Sequence, residues 1–233
     1  STSEYKKLWD MFGFSPLMSN LVELDKKLRI SLDGSADVYC AMRYQNPSID
    51  SAMNKIKSKG YDSLTILPLY PQYASASTES TIEYCRNILE RWGSKPEIRF
   101  IKHFYNHPSY IRCFIENAKK MDFESYDHIL FSYHGLPEKH LDKTHKGSEL
   151  CRDIDCRKGI VETNKMCYKA HCYETTRLIA EGLGLPEEDC TVSFQSRLSN
   201  RWVKPYTDVV MIDLLKKGKK NILILSPSFV SDC

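Results

Sequence analysis

The stretch CRDIDCRKGIVETNKMCYKAHC, residues 151–172, holds Cys151 and Cys156, then Cys167 and Cys172, with four residues inside each pair and ten between the pairs. Four thiolates in so short a span are the number that an iron–sulfur cluster or a structural zinc ion takes. The intervening residues are polar, so these cysteines are not spaced as small packing residues. Zinc sites favour two to four residues within a pair, which puts this spacing at the permitted edge. On the residues alone both metals stay open.

The segment FSYHGLPEKH sets His134 directly after an apolar run and before Gly135, a residue that permits a sharp turn. A histidine there suits a general base or a metal ligand near neutral pH, and equally a hydrogen-bonded loop residue. His103, His107, His140 and His145 lie in polar surroundings and are expected at the surface. The loop LPLYPQYASASTES places Tyr70 and Tyr73 about a stiffening proline, then offers Ser75, Ser77 and Thr78 ahead of a helix. On composition this is an ordinary strand-to-helix turn, with a wall for a planar apolar ligand as the competing reading. In FQSRLSNRWVKPYTD, Arg197, Arg201 and Lys204 accompany Trp202, a set that suits a carboxylate-bearing aromatic ligand or a solvated loop lidded by the indole.

These residues need a scaffold. Apolar runs expected as strands are Asp37–Met42, Ser63–Leu69, Ile98–Phe104, His128–Tyr133, Thr191–Gln195 and Asn221–Leu225. Several are nearly continuous in apolar character, as strands covered on both faces require. Helical periodicity falls over Ser48–Lys59, Thr78–Trp92, Ser109–Met121, Thr175–Leu183 and Tyr206–Lys217. Strand alternating with helix predicts an α/β chain of two similar, doubly wound parallel-sheet domains, divided as 1–124 and 125–233. The Cys-rich stretch reads as an insertion at about 146–172 in the second. Ligands in such sheets bind at the carboxyl ends of strands, which is where Leu67–Thr78 and Phe131–Pro137 lie.

Composition narrows the function classes. The 233 residues carry a net charge of +3, too balanced for a nucleic-acid groove or a polybasic membrane clamp. No apolar run approaches the roughly 18 residues of a membrane span. Nine cysteines, an odd count with no secretory leader before them, point to a reducing, cytoplasmic setting and to thiols or metal ligands. Cys40, Cys85, Cys113 and Cys190 fall in apolar-periodic segments and are expected in the core. The chain begins Ser-Thr-Ser and stops at Cys233, just past an apolar run without a covering helix, and reads as a piece of a longer protein.

MRYQNPSI, YPQYASAST, FSYHGLPE, FQSRLSNRWVKPYTD and the terminal SPSFVSDC occur in this order in ferrochelatases, and over essentially the whole chain the sequence resembles their proteobacterial branch. The resemblance implies the chelatase fold, two similar domains with a porphyrin cleft. It implies insertion of Fe2+ into protoporphyrin IX to give protohaem, with the macrocycle bent and its pyrrole protons removed. By this likeness His134 is the proton acceptor or iron ligand, and Arg43 and Tyr44 lie near the metal side of the ring. Tyr73 and Ser75 belong to the substrate loop, Trp202 to the cleft wall and Asp232 to its floor. The family's metal-site glutamate is expected two positions past Cys233. Cys151, Cys156, Cys167 and Cys172 resemble an insertion that binds a 2Fe–2S cluster in some bacterial members, so the cluster is expected over zinc. Poor porphyrin solubility adds an expected peripheral contact with the inner face of the membrane. Two other readings stand beside this one: a non-catalytic tetrapyrrole or iron–sulfur redox-sensing module, and a chelatase for another tetrapyrrole.

Overall fold

The computed structural model describes residues 16–145 and 150–230, which form mixed α/β structure with parallel sheets. Contacts divide them into two units. The first contains α1 (Pro16–Leu32), α2 (Ile49–Lys59), β1 (Ser63–Ile66), most of α3 (Ser80–Leu89) and β2 (Glu97–Phe100). β1 and β2 pair in parallel, from Ser63 opposite Glu97 to Ile66 opposite Phe100. α2 starts where the Ser48 side chain accepts a hydrogen bond from the Ser51 amide, and stops at Gly60, whose φ of 69° is left-handed. Its expected stripe, Ile49, Ala52, Met53 and Ile56, is buried; Ile49, Met53 and Ile56 pack with Cys85, Leu89 and Trp92.

Two features of this unit depart from the sequence reading. The expected strand at Asp37–Met42 does not form; its one strand-type pairing among the described residues is an isolated bridge, Met42 to Ser48. α1 was not expected. It buries none of its residues and is braced along its surface by ion pairs such as Arg29–Asp25 at 2.8 Å.

The second unit takes residues 67–80 and 101–229. It contains α4 (Pro108–Lys120), β3 (His128–His134), α5 (Glu138–Asp142), α6 (Tyr168–Leu183), β4 (Cys190–Gln195), α7 (Thr207–Lys216) and β5 (Ile222–Leu225). Residues 101–124, N-terminal to the division expected at 124/125, lie in this unit because α4 packs on α6. The sheet is all-parallel in the order β4-β3-β5. β3 is flanked on both edges and buried throughout except at His134, which explains its unbroken apolar sequence. The chain passes from β3 to one neighbour and then crosses to the other. Strand order therefore switches direction at β3, and ligands of open α/β sheets bind outside the carboxyl end of such a strand.

Candidate active site and metal centre

His134 is the last residue of β3. Its amide donates to Ser228 Oγ at 3.1 Å, and its carbonyl accepts from the Tyr168 hydroxyl at 2.8 Å. The ring Nδ1 lies 2.7 Å from the Gly135 carbonyl. A carbonyl only accepts, so Nδ1 carries the proton, and in the neutral ring Nε2 presents its lone pair. Among the described residues Nε2 has no hydrogen-bond partner. The Phe229 ring stands 6.1 Å away, centroid to centroid.

The close packing behind His134 explains the residue after it. The Gly135 amide donates to Gln195 O at 2.8 Å, and a Cβ built on Gly135 would come within 2.7 Å of that oxygen and 3.3 Å of Trp202 Cε3. Only glycine lets the two loops meet. Trp202 bridges to Pro137, Val203 N donates to Leu136 O, and Tyr206 holds the 200–202 backbone through its hydroxyl. Trp202 thus lies near His134 at the carboxyl end of the sheet.

Residues 70–79 belong to the same unit. Tyr73 is buried, and its hydroxyl donates to Glu79 Oε2 at 3.0 Å. Ser75 opens a π-type turn over Ser75–Glu79, a wide geometry that recurs at functional sites. The Tyr73 amide donates to Nδ1 of His171 at 3.1 Å. His171 is fully buried on α6, stacks on Tyr105 at 3.8 Å, and places Nε2 2.8 Å from Lys165 O, to which it donates. Burial pushes its pKa down to about 4.

In the first unit the Arg43 guanidinium lies 4.2 Å over the Tyr84 ring and 4.9 Å over Tyr44. Arg43 Nε is buried without a partner, while Tyr44 is 81% exposed. Asp232 lies outside the described residues.

Two of the four insertion cysteines converge on His145. Cys151, Cys156 and Cys167 are buried, and the sulfurs of Cys151 and Cys167 stand 3.9 Å apart. Cys167 is held well below the usual thiol range by hydrogen bonds from Cys151 and Cys156, which oppose burial and are reinforced by His145. Cys151 and Cys156 are pushed up, chiefly by donating to Cys167 and then by burial. Ligand atoms of His145, Cys151 and Cys167 all lie within 4.8 Å of one another. Cys156 and Cys172 lie outside that group but are buried in the same core cluster, Cys172 beside Tyr168 on α6.

Several expected positions are corrected. His145 is buried, not exposed, because the thiols close over it; His103 and His140 are half-buried, and His107 alone of the four is exposed. Cys85 is core, but Cys113 is exposed on the outer side of α4, and Cys40 and Cys190 are half-buried. Sequence reasoning missed His145 and His171 as functional candidates. The signal was their spacing: each lies within a few residues of a cysteine pair.

A parallel α/β sheet whose switch-point strand ends in an imidazole with an open nitrogen defines a ligand-binding α/β enzyme. The ferrochelatase family model matches residues 1–233. The ferrochelatase of Legionella pneumophila strain Paris is 41% identical over 234 residues, spanning 100% of this chain and 69% of its own length. That of Pseudomonas fluorescens strain SBW25 is 35% identical over 239 residues, with the same coverage, 100% and 69%. The chain belongs to the ferrochelatase family, metal-inserting lyases that take protoporphyrin and ferrous iron as substrates. No helix among the described residues is long and apolar enough to cross a membrane.

Proposed function

We propose that His134 is the proton acceptor of metal insertion, with Arg43, Tyr44, Tyr73, Ser75, Trp202 and Asp232 contacting the macrocycle. The observation that carries this reading is the tautomer. With Nδ1 committed to the Gly135 carbonyl, Nε2 is the open nitrogen at the carboxyl end of the central strand. Metallation exchanges two pyrrole N–H protons for one dication, so the ring must release two protons as iron enters. A flat macrocycle points its lone pairs and protons into one crowded plane. Bending it turns a pyrrole N–H outward, and aromatic walls such as Trp202 and Tyr73 drive that distortion with binding energy from the rest of the ring. A lone pair fixed by backbone hydrogen bonding then accepts the proton without reorganising.

The insertion holds, on this reading, a 2Fe–2S cluster. What supports it is the donor chemistry: buried thiols that share one low-pKa sulfur and an adjacent buried imidazole. Such a set fits iron, with zinc as the competitor. When bound, the cluster supplies a redox-sensitive cross-link. Insertion itself involves no net redox change, so no step passes through it. We place the protein in the cytoplasm with a peripheral contact at the inner membrane face, on its odd cysteine count and the poor solubility of the porphyrin.

The test is anaerobic insertion of Fe2+ into protoporphyrin IX by the full-length protein. His134→Ala is expected to bind porphyrin and turn over poorly; full turnover would remove His134 from this role. For the insertion, a red-brown protein with visible charge-transfer bands is expected, and a colourless one with stoichiometric zinc would reverse the choice of metal.

A further inference from the structure

β5 stops pairing at Leu225, opposite Phe131, so residues 132–134 of β3 run on without a strand on that side. Backbone groups of successive strand residues point alternately to the two sides. The Gly135 amide points to the β4 side, where it donates to Gln195 O at 2.8 Å. The amide and carbonyl of His134 therefore point to the side that β5 has left. Buried peptide groups without partners are costly, so these two need them.

Side chains take the place of the missing strand. Ser228 Oγ accepts from the His134 amide at 3.1 Å, and the hydroxyl of buried Tyr168 donates to His134 O at 2.8 Å. The Ser228 hydroxyl in turn donates to the Tyr168 oxygen. The three hydrogen bonds close a ring around the His134 backbone, and each polarises the next. Both clamping residues are anchored. Tyr110 on α4 donates to Pro227 O, one residue before Ser228, and its oxygen accepts from Gln72 Nε2 at 3.3 Å. Tyr168 sits in the first turn of α6.

The 134–135 peptide plane is thus held at its oxygen by Tyr168 and at its nitrogen by Gln195 O. The Gly135 carbonyl, 2.7 Å from His134 Nδ1, hangs from that plane. Ser228 holds the plane before it. Nε2 is aimed by groups that never touch the ring.

We infer, resting on His134 as the proton acceptor, that Ser228 and Tyr168 are its positioning residues: a backbone clamp that fixes its tautomer and the direction of its lone pair. A displacement of about 1 Å at a reacting group can cost about 10²-fold in rate. The clamp prevents that displacement at the open end of the sheet.

The test uses the full-length protein labelled with 15N-histidine, its His134 ring signal assigned by loss in His134→Ala. The unaltered protein is expected to hold one tautomer, protonated at Nδ1, and Tyr168→Phe and Ser228→Ala to show both. In these variants kcat for Fe2+ insertion is expected to fall about tenfold, as for a misplaced catalytic group, with the porphyrin KM moved less than about twofold. Ser228→Thr, which keeps the hydroxyl, is expected to regain most of the loss. Added to His134→Ala, either substitution is expected to cost nothing more; a further loss there means action elsewhere and overturns the inference. An unmixed tautomer with unchanged kcat in both variants overturns it as well. So does a fall in kcat matched by a rise in KM with the tautomer kept, the pattern of general loosening. Full turnover in His134→Ala is a separate failure: it removes the proton-acceptor reading, and the tautomer spectra then decide the clamp alone.

Discussion

The end of β3 and the first turns of α6 each present a histidine, and the two are wired in opposite senses. His134 commits Nδ1 to a neighbouring carbonyl and leaves Nε2 open, whereas His171 accepts at Nδ1 from Tyr73 and donates from Nε2 to Lys165 O. The first ring has one nitrogen left for chemistry; the second has none and serves as a fully satisfied strut. His145 is a third case, a buried imidazole beside the Cys151 and Cys167 sulfurs. Burial alone does not separate these environments, since His145 and His171 are both buried.

The contrast is broken most forcefully at His134. Replacing it by alanine is expected to lower iron-insertion turnover about 10²–10⁴-fold, the range typical of a lost general base. Thermal unfolding should stay nearly unchanged, because the ring is only half-buried. Unaltered turnover would make His134 a second strut.

At His171 the effect should appear in stability rather than in chemistry. The unfolded imidazole takes its proton near pH 6.5, while the folded one holds none until about pH 4. The unfolded state binds more protons in that window, so this contribution is complete above pH 6.5 and falls by about 3 kcal/mol as pH drops towards 4. Denaturant titrations across that range should show the slope, and His171→Gln should flatten it.

Gly135→Ala tests the packing that fixes the His134 tautomer. Its methyl would meet the Gln195 carbonyl at 2.7 Å, a backbone atom that cannot swing aside. A loss of about 1–3 kcal/mol in urea unfolding is expected, with a fall in turnover as the imidazole shifts. The smallest effect belongs to Tyr44→Ala. At 81% exposure its one ring contact, with Arg43, is solvent-facing, so stability should barely move, and the KM for porphyrin should rise a few-fold with kcat kept.

Much of the second unit was legible because its signals are local and redundant. An unbroken HILFSYH run can only be a strand covered on both faces, and His134-Gly135 at its end marks the turn. α2 was equally plain, with its stripe, its serine cap and its terminal glycine. The failures share one cause, which is that the deciding partner lies far along the chain. Asp37–Met42 has strand-forming residues but finds no ladder. α1 shows no buried face from which periodicity might be read. His145 looks polar and exposed until thiols 6 and 22 residues onward close over it.

α6 is capped by Cys167 and in its first turn touches two other places: Tyr168 grips the carbonyl of His134, and His171 grips the amide of Tyr73. A single helical turn therefore ties Cys167 both to the end of β3 and to the Tyr73 loop. Oxidation at Cys167 is therefore expected to loosen both grips together and to slow metal insertion without any electron entering the reaction, which turnover before and after mild peroxide treatment checks.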